Sequence, residues 1–170
     1  MNDTNYSMLV EKYFQYLVDE FHYSVIDKSL GGNPSYGIVE FRTPQTVIQV
    51  TRQEDRPTDV VHVVIKPSGS PDDVGMSLKS ILDALGIKDK LPDDNISPKY
   101  IEFALRIYSE KMREYCLEFI EGDFSKWNII LQHYLKSMKN WYKSVLGEGL
   151  PNESRYQIIQ NYIREKDRDN

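Results

Sequence analysis

The sequence predicts an α+β fold: an N-terminal helix, an antiparallel three- or four-stranded meander, then a helical C-terminal half. Three observations predict it. Over residues 6–21 apolar side chains recur at three- and four-residue steps, the stripe of an amphipathic helix. Over residues 24–66 the period falls to two, with β-branched residues and short polar connections that favour antiparallel pairing. From residue 76 onward the helical spacing returns. Helices and strands are segregated along the chain, which argues against a parallel α/β sheet. The 170 residues are read as a single domain: 1–66 helix plus sheet, 76–163 helical half, and 164–170 a polar tail expected to fray.

Taken in order, the first helix carries Tyr6, Leu9, Val10, Tyr13, Phe14, Leu17 and Phe21 on one stripe. Asp3 or Thr4 can cap it, because a short side-chain oxygen accepts an otherwise orphan backbone N–H. It should end near His22. Residues 24–30 read as a short strand, broken by Gly31-Gly32-Asn33-Pro34. Tyr36–Arg42 alternates, Thr43-Pro44-Gln45 connects, and residues 46–52 alternate again with Ile48 and Val50 on one face. Residues 53–58 are expected as a charged loop around Pro57. Residues 60–66 are a nearly continuous β-branched run, apolar on both phases, which predicts a central strand with both faces covered.

The stretch Pro67-Ser68-Gly69-Ser70-Pro71-Asp72-Asp73 reads as the loop between the two halves. Residues 76–85 form a short helix stopped by Gly86. The longest helix is expected over residues 98–120. Pro98 sits in its first turn, and Ile101, Ala104, Leu105, Tyr108, Met112, Tyr115, Cys116 and Phe119 form its stripe. Gly122 ends it, and Asp123 or Ser125 starts the next. That helix bears Trp127, Ile130, Leu131, Tyr134, Leu135, Met138, Trp141 and Val145, read by default as core. Gly147-Glu148-Gly149-Leu150-Pro151 breaks it, and Asn152 caps a last helix with Tyr156, Ile159 and Ile163.

Composition removes several classes. The single cysteine, Cys116, cannot form an internal disulfide, which points to a reducing compartment. No apolar run approaches the ~20 residues that span a bilayer, and the N-terminus lacks the order of a signal peptide, so a cytoplasmic, membrane-free protein is expected. The net charge of -5 disfavours nucleic acid as a general partner. All of that charge falls in residues 1–75, which hold six bases against eleven acids; the remainder is balanced. Such asymmetry can steer a basic partner.

Catalytic patterns are sparse. His22, His62 and His133 have neither metal-ligand spacing nor partner cysteines, so no metal and no cofactor is expected. His62 is read as a hydrogen-bonded structural histidine. Cys116 lies on an apolar stripe near a helix C-terminus, where it behaves as a small hydrophobe. No G-x-S-x-G elbow or Walker lysine occurs. The acid pairs Asp19-Glu20, Glu54-Asp55, Asp72-Asp73 and Asp93-Asp94 are read as solvated surface, since adjacent residues point apart. Lys136, Lys139 and Lys143 form a ridge opposite Trp127 and Tyr134.

The phrase Tyr13-Phe14-Gln15-Tyr16-Leu17-Val18-Asp19-Glu20-Phe21-His22-Tyr23, followed by Gly37-Ile38-Val39-Glu40-Phe41 and Val47-Ile48-Gln49-Val50-Thr51-Arg52, carries a resemblance. It resembles a group of small bacterial cytoplasmic α+β domains, some of them immunity proteins of toxin systems. The likeness covers about residues 6–66, and His22 stands where such phrases often carry glycine. It implies fold and no site residue.

The resulting expectation is a non-enzymatic cytoplasmic protein-binding module, in one form an immunity-type inhibitor that covers the active site of a basic toxin domain. Its partner-binding residues are expected to be Glu54, Asp55 and Asp59, in a loop that projects. Two alternatives stand beside it. One is a small enzyme whose site assembles only in three dimensions, around His62 and loop acids. The other is a structural protein that forms a homodimer through its aromatic helical half.

Overall fold

The structure, a computed structural model, describes residues 3–28, 36–55, 58–92, 95–146 and 154–168. Of residues 3–5, 27, 28, 36, 54, 55, 58–60, 95, 96, 98, 146 and 154 it describes the backbone only. The expected turns at 31–34 and 56–57, the pair Asp93-Asp94, the break at 147–151 and the Asn152 cap lie outside the described residues.

The architecture is α+β. Helix α1 (Asp3–Asp19) leads into β1 (Ser24–Lys28), β2 (Tyr36–Arg42), β3 (Thr46–Asp55) and β4 (Thr58–Pro67), an antiparallel meander in chain order. Two short strands, β5 (Met76–Ser77) and β6 (Asn95–Ile96), both pair antiparallel with β4. Helices α2 (Leu78–Ala84), α3 (Ile101–Tyr115), α4 (Leu117–Ile120), α5 (Trp127–Leu146) and α6 (Ser154–Arg168) make up the second half.

Period-two alternation places one set of side chains in the core. Val39, Val50 and Val63 are aligned across three strands, as are Phe41, Ile48 and Ile65, and all six are buried. Each such side chain contributes roughly 1.5–3 kcal/mol by leaving water. The stripe of α1 covers them, with the Phe14 ring 5.9 Å from that of Phe41. Helix α3 is joined to α1 by polar contacts: Tyr13 and Lys12 both donate to Glu102 (2.7 and 2.8 Å), and Arg113 grips both oxygens of Glu20.

Three expectations need correction. Residues 53–55 and 58 are strand rather than loop: β3 continues through Asp55 and β4 starts at Thr58, with Glu54 in register with Asp59. The ladder satisfies backbone groups that a loop would leave to water, and it overrides the charged composition. The helix expected over 98–120 is a 3₁₀ turn (Pro98–Tyr100), then α3, then α4, with a bend at Cys116 (φ −115°, ψ 20°). Among the described residues the longest helix is therefore α5, at 20 residues. The helix expected over 76–85 starts at Leu78, because Met76 and Ser77 pair with β4 and the Ser77 hydroxyl caps Ser80 N–H. Helix α6 runs through Arg168, and Asn128 Nδ2 donates to Asp167 Oδ1 near its end (3.0 Å).

The bend at Cys116 aims the end of α4 at the sheet. The Phe119 carbonyl accepts from Thr46 Oγ1 (2.9 Å) and the Ile120 carbonyl from the Tyr23 hydroxyl (2.8 Å). These are carbonyls that a helix C-terminus leaves without helical partners. Gly122 follows at φ +90°, where a Cβ would lie 2.7 Å from Gln45 Cβ, so only glycine fits.

Candidate functional site

The acids singled out in the sequence do not form a projecting loop. Glu54 and Asp55 end β3 and Asp59 is the second residue of β4, in register with Ile96 of β6. Glu54 faces Asp59 directly across the ladder, while Asp55 is in register with Thr58. Their side chains lie outside what is described. Asp72 and Asp73, in a 3₁₀ turn (Asp72–Val74) beyond the other end of β4, form a separate group.

His62 is also placed differently from expectation. Val61, Val63 and Ile65 of β4 are buried, but His62 and Val64 are half-buried on the opposite face. That face is the floor of an open cleft of about 420 Å³, shared with Gln49 and Thr51 of β3. Thr51 is the register partner of His62 and Gln49 that of Val64. Ser77 and Ser80 form one wall and Asp72, Asp73 and Gly75 another; Tyr134 of α5 and Arg155 of α6 complete it. The apolar run of β4 misleads here because one of its two phases faces polar groups rather than a covering helix. The His62 ring makes no hydrogen bond among the described residues.

Arg155 holds this cleft together. Its Nε donates to the Asp73 carbonyl (3.1 Å) and its Nη2 to the Gly75 carbonyl (3.0 Å). Its guanidinium lies 5.1 Å from the Tyr134 ring centroid, a cation–π arrangement. Gly75 is needed where the 3₁₀ turn closes on β4: a Cβ there would sit 2.8 Å from Val64 Cγ1 and 3.1 Å from the Asp72 carbonyl. Lys66 pairs with the Asp72 carboxylate, whose side chain is 91% exposed. Among the described residues no carboxylate lies within ion-pair distance of Arg155. No hydrogen bond joins His62 to Asp72 or Asp73, and the cleft holds the Arg155 fork beside these side chains.

Sequence reasoning missed Arg155. One arginine in a polar helix gives no local signal, and its partners are 80 and 82 residues away.

A second surface lies on the same helix as Tyr134. The apolar stripe of α5 is buried at Trp127, Ile130, Leu131 and Leu135. It continues in phase through Met138, Trp141 and Val145, but Trp141 and Val145 are each 56% exposed. The default reading of these two as core is therefore corrected: the helix outruns the surface it packs on. The Trp141 ring meets Tyr142 edge-on at 4.9 Å. Lys136, Lys139 and Lys143 are exposed on the opposite side, as the spacing predicts.

Among the described residues no group of three or more His, Cys, Asp or Glu side chains could hold a metal ion, and no helix is long and apolar enough to cross a membrane. The chain finds no match among protein-family models, curated proteins or solved structures.

Proposed function

We propose that this protein is a non-catalytic protein-binding module, anchored by the overhanging face of α5. The observation that carries the reading is the exposure of Trp141 and Val145 on a stripe whose first half is core. Exposed tryptophan on a rigid helix is the residue type that dominates binding energy at protein interfaces. In its specific form, an immunity-type inhibitor, the partner is a basic toxin domain. The acidic first half then steers it, with Glu54, Asp55 and Asp59 at the end of the β3–β4 hairpin as the steering group.

A photo-cross-linking side chain placed at position 141 captures the partner in cells, and the purified pair is then measured. Trp141→Ala should weaken binding by about 2 kcal/mol or more, mainly through faster dissociation. Replacing Glu54, Asp55 and Asp59 by alanine should slow association and flatten its salt dependence. No specific adduct, or an unchanged dissociation constant for Trp141→Ala, would sink the reading. A dimer that Trp141→Ala dissolves would make the partner a second copy of this chain.

One observation favours the enzyme reading: His62 and Asp73 line the same cleft. An activity in the purified protein that His62→Ala abolishes while Trp141→Ala does not would establish it.

A further inference from the structure

We propose that the cleft over β3 and β4 is a receptor for a small oxyanion, the carboxylate or phosphate group of a soluble ligand, with Arg155 as its anchor. This does not rest on the protein-binding reading; it concerns a different surface and different residues.

Arg155 has donors to spare. A guanidinium carries five N–H donors in a planar fork. Two serve the carbonyls of Asp73 and Gly75, so the Nη1 pair and the second Nη2 hydrogen remain. Both occupied partners are neutral, and the stacked Tyr134 ring is neutral too. The positive charge is thus fixed in place, with no carboxylate of the described residues within ion-pair distance of it. Fixing it before the ligand arrives removes much of the ordering cost of binding. A planar fork of this kind matches a carboxylate or phosphate, which takes two parallel N–H bonds at once.

The rest of the cleft suits the same guest. Thr51 and His62, register partners on the floor, offer a hydroxyl and an imidazole N–H. Gln49 is committed to Glu40, to which its Nε2 donates at 3.0 Å, and the Ser77 and Ser80 hydroxyls are bonded to each other at 2.9 Å. A volume of about 420 Å³ is at the scale of small-molecule sites. Of the two acids on the wall, Asp72 is neutralised by Lys66. Asp73 is not: its carboxylate makes no hydrogen bond among the described residues. An incoming anion feels its repulsion, and this gives the idea a sharp sign.

The test is a titration of ¹⁵N-labelled protein with inorganic phosphate and, separately, with acetate, against chloride at matched ionic strength. Phosphate or acetate should shift the amides of Thr51 and His62 saturably, while chloride should not. The tighter of the two names the oxyanion. Arg155→Gln should weaken binding by about tenfold or more, and Asp73→Asn should tighten it by roughly two- to fivefold. Non-saturable shifts with both probes, or shifts that chloride reproduces, would overturn the proposal. So would Arg155→Gln binding as the wild type does. Because Arg155→Gln also removes a clasp and can unfold the wall, Asp73→Asn and His62→Ala carry the test by themselves: tightening by the first and weakening by the second are required. A Trp141→Ala protein should bind phosphate as the wild type does, which separates this site from the protein-binding surface.

Discussion

The Tyr23 hydroxyl donates to the Ile120 carbonyl at 2.8 Å, joining the start of β1 to the end of α4 across 97 residues of chain. Tyr23 is buried, and burial pushes its pKa up to about 12. Folded Tyr23 therefore holds its proton more tightly than the unfolded chain, in which a tyrosine titrates near 10. The stabilisation is complete below about pH 10 and is lost as pH rises towards 12. An alkaline stability profile should fall over that window, and Tyr23→Phe should flatten part of the fall while costing about 1–2 kcal/mol at neutral pH. A mutant profile parallel to the wild type would contradict this placement of the hydroxyl.

His22 adopts φ +58°, a left-handed conformation, just after α1. A non-glycine residue pays steric strain there of roughly 1–2 kcal/mol, against the ~0.5–1 kcal/mol that glycine loses in chain entropy. His22→Gly should accordingly raise stability by a few tenths to about 1 kcal/mol in urea unfolding. Destabilisation by the glycine variant would mean that the imidazole contributes more than the strain removes.

Cys116 is fully buried at the bend between α3 and α4, and burial pushes its thiol pKa up to about 12. Thiolate is scarce at neutral pH, and the sulfur is shielded. Labelling with a thiol reagent should be slow in the native protein and should accelerate with denaturant. Stoichiometric reaction within seconds under native conditions would refute the burial.

The two tryptophans of α5 should behave oppositely. Trp127 is 2% exposed, wedged edge-on against Phe119 (5.4 Å) and Phe124 (5.1 Å). Trp127→Ala should cost roughly 3–5 kcal/mol. Trp141→Ala should stay within about 0.5 kcal/mol, as surface substitutions do. Chemical denaturation of the two variants side by side reads the difference, and equal losses would place Trp141 in the core.

Periodicity made most of the fold legible. Tyr36–Arg42 was delimited by its alternation and by the turn residues on either side, and Gly122 marked the end of α4 through the φ only glycine tolerates. Periodicity reads local order, so it failed where distant partners decide. The hairpin end at Glu54 and Asp59 is charged, and only cross-strand pairing makes it strand. The stripe of α5 continues to Val145 by spacing, yet how far it is covered depends on the length of its neighbours. The cleft was the least legible, because Thr51, His62, Asp73, Tyr134 and Arg155 come from five separate elements and meet only after folding.

The clasp of Arg155 on Asp73 and Gly75 also sets an order of assembly during synthesis. The six strands of the described residues all precede Arg155 in the chain, and 80 residues separate it from Gly75. At ribosomal speeds of ~5–20 residues per second that interval lasts about 4–16 s. Once β6 has been made, about 20 residues into it, the nascent sheet has its described strands but not the far wall of its polar face. His62 and Thr51 then stand open to solvent until α6 emerges and swings back across, so the sheet is made early and its cleft is closed last.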